Sequence, residues 1–424
     1  VITAGADEEF DVELRRRETP GANVVTHLNN AGAALMPTPV LTAMRAHMEL
    51  EVYVGGYEAA AISDAALREP YLAAAKLLGC EPLDIAITDS ATRAWSLAFY
   101  SIPFQPGDRI LACAAEYGSN HLSLLHVARR AGATVEVLPN DEFGRVDLTA
   151  LRAALDERVR AVLVTHVPSH CGVVNPIAEI GALVRQTSAL YLVDACQTVG
   201  HLPIDVHQVG CHFLSTCGRK YLRGPRGTGF LYASPDAAAQ VEPTMVGLDG
   251  ARWLGGDRYE LAPGAQRFET WEINAVARVG LGVALNYALA AGIGATWTRT
   301  ALLAQRLRAA LRVIPGVRLL ERTDDDGDLA GIVGFTVDGH APFAIRDVLR
   351  EMNINIWVSQ ANTATVDMSA RELDSCLRAS VHYYNTDEEI ERFSSTLLEL
   401  VTNPGKAEQI VSPDRYPVKV GVSS

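Results

Sequence analysis

The chain predicts an α/β fold built on an open, mainly parallel sheet with helices on both faces. Three observations predict it. Short apolar runs alternate with amphipathic stretches through much of the 424 residues, which is the spacing of repeated strand–helix units. One apolar run, Tyr191-Leu-Val-Asp194, ends in a carboxylate, at the end of a strand where open α/β sheets bind ligands. A glycine-rich turn then follows a lysine, Lys220-Tyr-Leu-Arg-Gly224-Pro-Arg-Gly227-Thr-Gly229, and leads into a further apolar run.

Residues 1–25 read as an arm. A helix is expected from Pro39 to about Glu51, with Thr38 as its N-cap, and a second over Ile62–Leu78, ended by Gly79 and kinked or divided by Pro70. Strands are expected at Asp84–Thr88, Ile110–Ala114, Ala161–His166, Ala189–Val193 and Phe230–Ala233. Helical patterns lie between them at Arg93–Ser101, His121–Ala131, Leu148–Asp156 and Pro176–Gln186. Two long helical stretches, Asn274–Ala291 and Thr298–Arg312, carry the chain onward. The remainder alternates differently: strand Gly331–Val337, helix Ala341–Met352, strands Ile354–Val358 and Cys376–Ser380, helix Asp387–Val401. The division expected is an arm and joining helix over 1–50, a large domain over 51–290 and a small α+β domain over 291–424. The loosely patterned tail after Asn403 is expected to wrap a partner subunit.

A composition of 48% hydrophobic and 21% charged residues is that of a globular chain. A net charge of −13 argues against nucleic acid or an anionic membrane as partner. No run reaches the roughly 18 apolar residues of a spanning helix. Val1–Arg17 is acidic and then arginine-rich, without the apolar centre of a secretory signal. The seven cysteines include no Cys-x-x-Cys pair and predict reduced, mostly buried thiols in a cytoplasmic protein. No Cys/His group has metal-ligand spacing, so no metal is expected.

The chemistry centres on Lys220. Arginine supplies 33 of the 37 basic side chains, and the lysines are only Lys76, Lys220, Lys406 and Lys419. A guanidinium serves most needs for positive charge but cannot form an imine; a lysine amine can lose its proton and attack an aldehyde. Other segments supply parts of one cofactor site. Thr88-Asp-Ser90-Ala91-Thr92-Arg93 places small hydroxyl residues at a strand end and helix start, where free backbone N–H groups suit a phosphate. Asp194 could keep a ring nitrogen protonated, and Gln197 could reach a ring hydroxyl. Tyr117, in Ala115-Glu-Tyr117-Gly-Ser-Asn120, could stack on a planar ring.

In this order, the motifs resemble fold-type I pyridoxal-phosphate enzymes, in particular the class V aminotransferase-like family. The resemblance runs from His27-Leu-Asn-Asn30-Ala-Gly-Ala-Ala34 to Leu377-Arg378-Ala-Ser-Val-His-Tyr-Tyr-Asn385 and beyond. It implies a large domain with a mainly parallel seven-stranded-type sheet, a smaller C-terminal α+β domain, and a homodimer. It makes Lys220 the Schiff-base lysine, Asp194 the pyridinium partner and Gln197 the residue facing the ring oxygen. Ser90, Ala91 and Thr92 match the phosphate cup. Tyr117 stands where many relatives stack a histidine, and Arg378 matches the arginine that clamps the substrate carboxylate. Asn30, Ser169 and His170 are the further substrate candidates, the last two standing where relatives have an asparagine.

The chain also departs from the family pattern. Ser-x-His before the lysine reads Cys217-Gly218-Arg219, which gives Arg219 a phosphate-facing or structural role. Phe268-Glu-Thr-Trp271-Glu272-Ile-Asn274 puts Glu272 where relatives send a threonine to the neighbouring subunit's phosphate, and Arg267 is the candidate to compensate. The segment matching the desulfurase loop, Asn355–Thr365, has no cysteine, which argues against a persulfide-forming desulfurase.

Tyr117, Gly55-Gly56-Tyr57, Arg219-Lys220 and Phe268-Glu-Thr-Trp most resemble the branch of ergothioneine-type C–S lyases and lincosamide S-cysteine enzymes. That resemblance implies β-elimination on an S-substituted cysteine, releasing a thiol, pyruvate and ammonia. Tyr53, Tyr57, Trp253 and Trp271 would wall the S-substituent. The alternatives are decarboxylation-coupled oxidative deamination, transamination or epimerisation with the same cofactor, and a non-enzymatic binding protein on the same scaffold.

Overall fold

The computed structural model describes residues 10–321 and 329–403. Seven strands form its largest sheet: β1 (Ile85–Thr88), β2 (Arg109–Cys113), β3 (Thr134–Leu138), β4 (Val159–Thr165), β5 (Leu190–Asp194), β6 (Phe213–Cys217) and β7 (Gly229–Ala233). They lie in the order β1-β7-β6-β5-β4-β2-β3. β2 to β6 run parallel, and β7 pairs antiparallel with β6 and with β1. The C-terminal ends of β1, β2, β4, β5 and β6 therefore share one edge.

Alternate residues of each central strand enter different cores. Leu111, Val162, Val164, Tyr191, Val193 and Leu214 pack into one cluster, while Ile110, Ala112, Ala161, Leu163, Leu192 and Phe213 pack into the other. Burial on both faces makes these strands continuous apolar runs, which is why they are readable from sequence. Two strands lack that signal. β3 is a partly exposed edge strand interrupted by Glu136, and β6 merges with the motif leading to Lys220.

A short helix, Val12–Arg17, lies in the expected arm, and the helix expected from Pro39 spans Thr38–Val54, longer than expected, with Pro37 rather than Thr38 as its N-cap. The expected break at Pro70 is absent. Gly56–Ile62 and Asp64–Leu78 are separate helices divided at Ser63, and Pro70 continues within the second. Pro70 faces Gly282, where an added Cβ would meet its Cδ at 3.1 Å. The packing of these two helices accommodates the proline ring that free-standing helix geometry would disfavour. Gly79 ends the helix in the left-handed conformation, as expected.

Helix Ala275–Ala291 runs beneath the Lys220 loop and meets Ile293–Arg312 at Gly292 with a bend of 79°. Among the described residues no single helix is long and apolar enough to cross a membrane. Beyond the bend, β8 (Val317–Leu319), β9 (Ile332–Val337), β10 (Trp357–Gln360) and β11 (Ser375–Ser380) form an antiparallel sheet in the order β8-β9-β11-β10. Helices Ile293–Arg312, Pro342–Glu351 and Asp387–Thr402 contribute to the core on this sheet. The N-terminal segment joins it: Thr26–His27 pairs with Ile354–Asn355, and Asn29 bridges to Ser380. The tail expected to wrap a partner lies outside the described residues.

Leu281 is fully buried, and a Cβ on Gly218 would meet its Cδ1 at 3.0 Å, so this leucine fills the space under the lysine loop. Leu281→Ala should cost about 2–5 kcal/mol, read as a lower denaturant midpoint, because the backbone around it cannot collapse into the cavity.

Candidate active site

The C-terminal edge of the large sheet opens into a cavity of about 230 Å³. Its lining includes Ser90, Ala91 and Thr92 after β1, Tyr117 after β2, Thr165 and Ser169 at the end of β4, Asp194 and Gln197 from β5, and Arg219 and Lys220 after β6. A second recess of about 370 Å³ adjoins it, lined by Asn29, Trp357, Ser359, Thr363 and Arg378 among others. Tyr117, Ser169, Gln197, Arg219, Lys220 and Arg226 line both.

Helix Ala91–Tyr100 begins at this edge with Ser90 as N-cap, its hydroxyl accepting from Arg93 N at 3.2 Å. The first N–H groups of the helix have no intrahelical acceptor, so they present partial positive charge to the cavity. A Cβ on Gly229 would lie 2.8 Å from Ser90 C and 2.5 Å from Thr216 O, so β7 can approach this cradle only as glycine.

Asp194 is buried and held from two sides. Cys196 N donates to its Oδ1 at 2.9 Å and Asn120 Nδ2 to its Oδ2 at 2.8 Å. The same Asn120 amide donates to Glu116 Oε1 at 2.7 Å, which also accepts from the Thr165 hydroxyl at 2.9 Å. Burial, and behind it the charge of Asp194, pushes the Glu116 carboxyl up to about 7. Sequence reasoning missed Glu116; the signal was present in Glu-Tyr117, as an acid beside the expected ring-stacking residue.

Lys220 is buried. Burial and Arg219 disfavour its charge, but the Cys196 and Cys217 sulfurs and Asp194 outweigh them, so its net pKa is raised. Gln197 donates to Ala31 O at 3.1 Å, while its buried Oε1 has no partner, and neither does the buried Ser215 hydroxyl. An N–H cradle for a phosphate, a carboxylate for a ring nitrogen, an unpartnered amide oxygen and an amine for an aldehyde together fit pyridoxal 5'-phosphate.

Arg378 lies on β11 beside the recess. Its guanidinium donates to Ser169 O and Asn29 Oδ1, both at 2.8 Å, while its buried Nε has no partner. Burial lowers its pKa to about 10, which leaves it charged at neutral pH. Arg219 donates to Gly32 O and borders both cavities.

Several expectations need correcting. Asn30 does not face substrate. Its amide donates to Ser380 O, His27 O and Asn385 Oδ1, and its oxygen accepts from Tyr384, so its bonding capacity is spent inside the fold. Asn29 occupies the recess instead. His170 lines neither cavity; it is fully buried, with Nε2 2.7 Å from Asp367 Oδ2. Burial opposes its charge, but the Cys171 sulfur and Asp367 prevail and raise it to about 10. Arg267 is tied to Gly264 O and Ala238 O within its own chain. Tyr53, Tyr57, Trp253 and Trp271 line neither cavity and are exposed.

Lys220 owes its placement to Arg223, which sequence reasoning also missed. Arg223 N bonds back to Lys220 O at 2.9 Å, and the side chain is buried against Leu35 O (2.9 Å), Tyr383 Oη (2.8 Å) and Thr19. It adopts φ 59°, in the left-handed region where non-glycine residues are uncommon.

The family model described as aminotransferase class-V matches residues 26–393. A probable cysteine desulfurase of Methanothermobacter thermautotrophicus is 30% identical over 91% of this chain and 97% of its own length. A cysteine desulfurase of Dickeya dadantii is 30% identical over 92% and 97%. Among solved structures, the apo cysteine desulfurase of Thermococcus onnurineus NA1 superposes with a TM-score of 0.86 at 26% identity, covering 94% of this chain and all of its own. The cystine C–S lyase C-DES, solved with its product cysteine persulfide, gives 0.80 at 25% identity over 90% and 99%. A lysine-to-alanine variant of C-DES, solved with glycine covalently linked to its PLP cofactor, gives 0.82 at 26% over 91% and 99%.

Glu116 provides a pH test. With a folded pKa above the ordinary carboxylate value, its contribution to stability is fully present below pH about 4.5 and is lost as pH rises through about 7. Glu116→Gln cannot ionise. Between pH ~5 and ~8 it should lose less stability than the wild type, by about 2–3 kcal/mol in paired denaturant titrations. Equal losses would mean that Glu116 is already ionised in the folded chain.

Proposed function

Because the chain belongs to the class-V aminotransferase family and takes pyridoxal 5'-phosphate as its cofactor, we propose that it is a lyase cleaving the C–S bond of an S-substituted cysteine. The products are a thiol, pyruvate and ammonia. The observation that carries this reading is the chemistry of the recess. It joins Arg378 to Lys220, and among the described residues no cysteine lines it. A chain that takes sulfur onto itself needs a thiol within reach of the substrate's sulfur. Cys196 and Cys217 line the cofactor cavity instead and lie 3.4 Å from each other, sulfur to sulfur.

The bound cofactor supplies an aldehyde for the substrate amine and a ring that withdraws electrons from Cα. Asp194 would hold the ring-nitrogen proton, and Ser90, Ala91 and Thr92 would hold the phosphate. Gln197 would offer its amide to the ring oxygen, with Tyr117 covering the ring. Arg378 grips the substrate carboxylate and thereby aims the Cα–H bond at Lys220. Lys220 Nζ takes the Cα proton; the electron pair left on carbon forms the Cα–Cβ double bond as the C–S bond breaks. The same amine returns the proton to the departing sulfur. Water then releases the remaining carbons as pyruvate and the nitrogen as ammonia.

The exposed ridge of Val52, Tyr53, Tyr57 and Ile62, with Trp253 and Trp271, suits burial against a second copy, and a homodimer is part of the reading.

Products from a panel of S-alkyl and S-aryl cysteines, measured by mass spectrometry, test the reaction. Thiol and pyruvate should appear in equal amounts. Aldehyde with carbon dioxide, a keto acid retaining sulfur, or alanine would overturn it. Borohydride reduction of the holoenzyme should place the pyridoxyl label on the peptide containing Lys220. Arg378→Ala should raise KM about 100-fold with a smaller change in kcat, since it removes the carboxylate contact made already in the ground state. Unchanged KM would remove Arg378 from that role.

A further inference from the structure

The substrate recess is cationic. Its lining includes Arg219, Arg226, Arg378 and Lys220, and among its described lining residues there is neither Asp nor Glu. The protein as a whole carries a net charge of −13, so this concentration of positive charge runs against the overall balance. Three of the four cations have assigned work. Lys220 is the reacting amine, Arg378 faces the substrate's α-carboxylate, and Arg219 is bonded to Gly32 O.

Arg226 is different. Its side chain is exposed where the two cavities meet, and among the described residues it makes no hydrogen bond or ion pair. Its backbone, by contrast, is braced. Pro225 precedes it and Gly227, at φ 77°, follows; Thr228 Oγ1 donates to Pro225 O at 2.7 Å and Gly224 N to Gly218 O at 2.7 Å. A guanidinium rooted on a braced backbone, with no donor committed among the described residues, is available to an oxyanion supplied from outside. The recess side of Arg226 also holds Trp357, Ser359 and Thr363, which could flank a short chain running from the reacting sulfur.

We infer that the S-substituent of the substrate ends in an anionic group, a carboxylate or an oxyanion of similar size, and that Arg226 is the residue that selects it. This rests on the C–S lyase reading for the identity of the reacting part. The phosphate cradle at Ser90–Thr92 lines the cofactor cavity and not the recess, so the two anions have separate places.

The test separates the two readings. First, 2-aminoadipate and its side-chain amide are titrated into the holoenzyme and binding is read from the cofactor absorbance. With methylene in place of sulfur, neither can lose a thiol, so the comparison does not depend on elimination. The acid should bind about tenfold more tightly than the amide, with the difference shrinking as salt is added. Arg226→Gln should abolish that preference by weakening the acid alone. Second, S-carboxymethylcysteine and S-carbamoylmethylcysteine are compared by kcat/KM for pyruvate release, and the acid should again lead by about tenfold in the wild type only. Equal binding of acid and amide overturns the inference. So does an Arg226→Gln variant that keeps the preference, or one whose apoenzyme binds pyridoxal phosphate more weakly while the acid-to-amide ratio stands, since Arg226 would then serve the phosphate. A preserved acid preference with no pyruvate from either conjugate would leave the inference intact and sink the lyase reading instead.

Discussion

Arg223 brings a full positive charge into a position with 1% exposure, and no carboxylate is bonded to it. Such burial is tolerable only where hydrogen bonds and aromatic faces replace water. Here they come from distant parts of the chain: Thr19 and Leu35 before the large sheet, Tyr287 on the long helix, and Tyr383 and Tyr384 after β11. The loop that carries Lys220 is thus fixed by the N-terminal segment and by the small sheet together. One buried guanidinium ties the Lys220 loop to the same frame as β11, which carries Arg378.

The parallel sheet supplies the second constraint. Its strands deliver Asp194 itself, and the loops that carry Tyr117, Ser169 and Lys220, to one edge, each from a different crossover, so strand register sets where those short loops begin. Asp194 pairs across the sheet with Thr165 and Ser215, and its carboxylate is then oriented by Asn120 from the next helix. Glu116 shares that amide. Burial, and after it the charge of Asp194, raises the Glu116 carboxyl. Asp194 is the member of the pair that lines the cavity.

Much of the site was legible because its chemistry depends on residue type. A lysine amid arginines, a carboxylate ending an apolar strand and hydroxyl residues starting a helix can each be read in one dimension. The errors lie where direction matters. Asn29 and Asn30 are adjacent and identical, yet the chain turns between the Asn29 bridge and Gly32, so Asn30 is spent on Ser380, Asn385 and Tyr384 while Asn29 meets Arg378. His170 sits beside Ser169 and turns the other way, to Asp367. The helix break came at Ser63 rather than at Pro70 because a glycine on a neighbouring helix receives the proline, a fact with no local signature.

From the amino-acid order alone came the strand–helix alternation, the lysine proposed as the reacting amine and the acid at the strand end, since burial on both sheet faces and the demands of imine chemistry are written in local composition. Folding decided which of two neighbouring side chains faces the recess, which arginine is buried as a strut and which is left with its donors free. Those outcomes depend on contacts between residues hundreds of positions apart, such as Arg378 with Asn29 at 349, and no local window of sequence encodes the direction in which a side chain will find its partner.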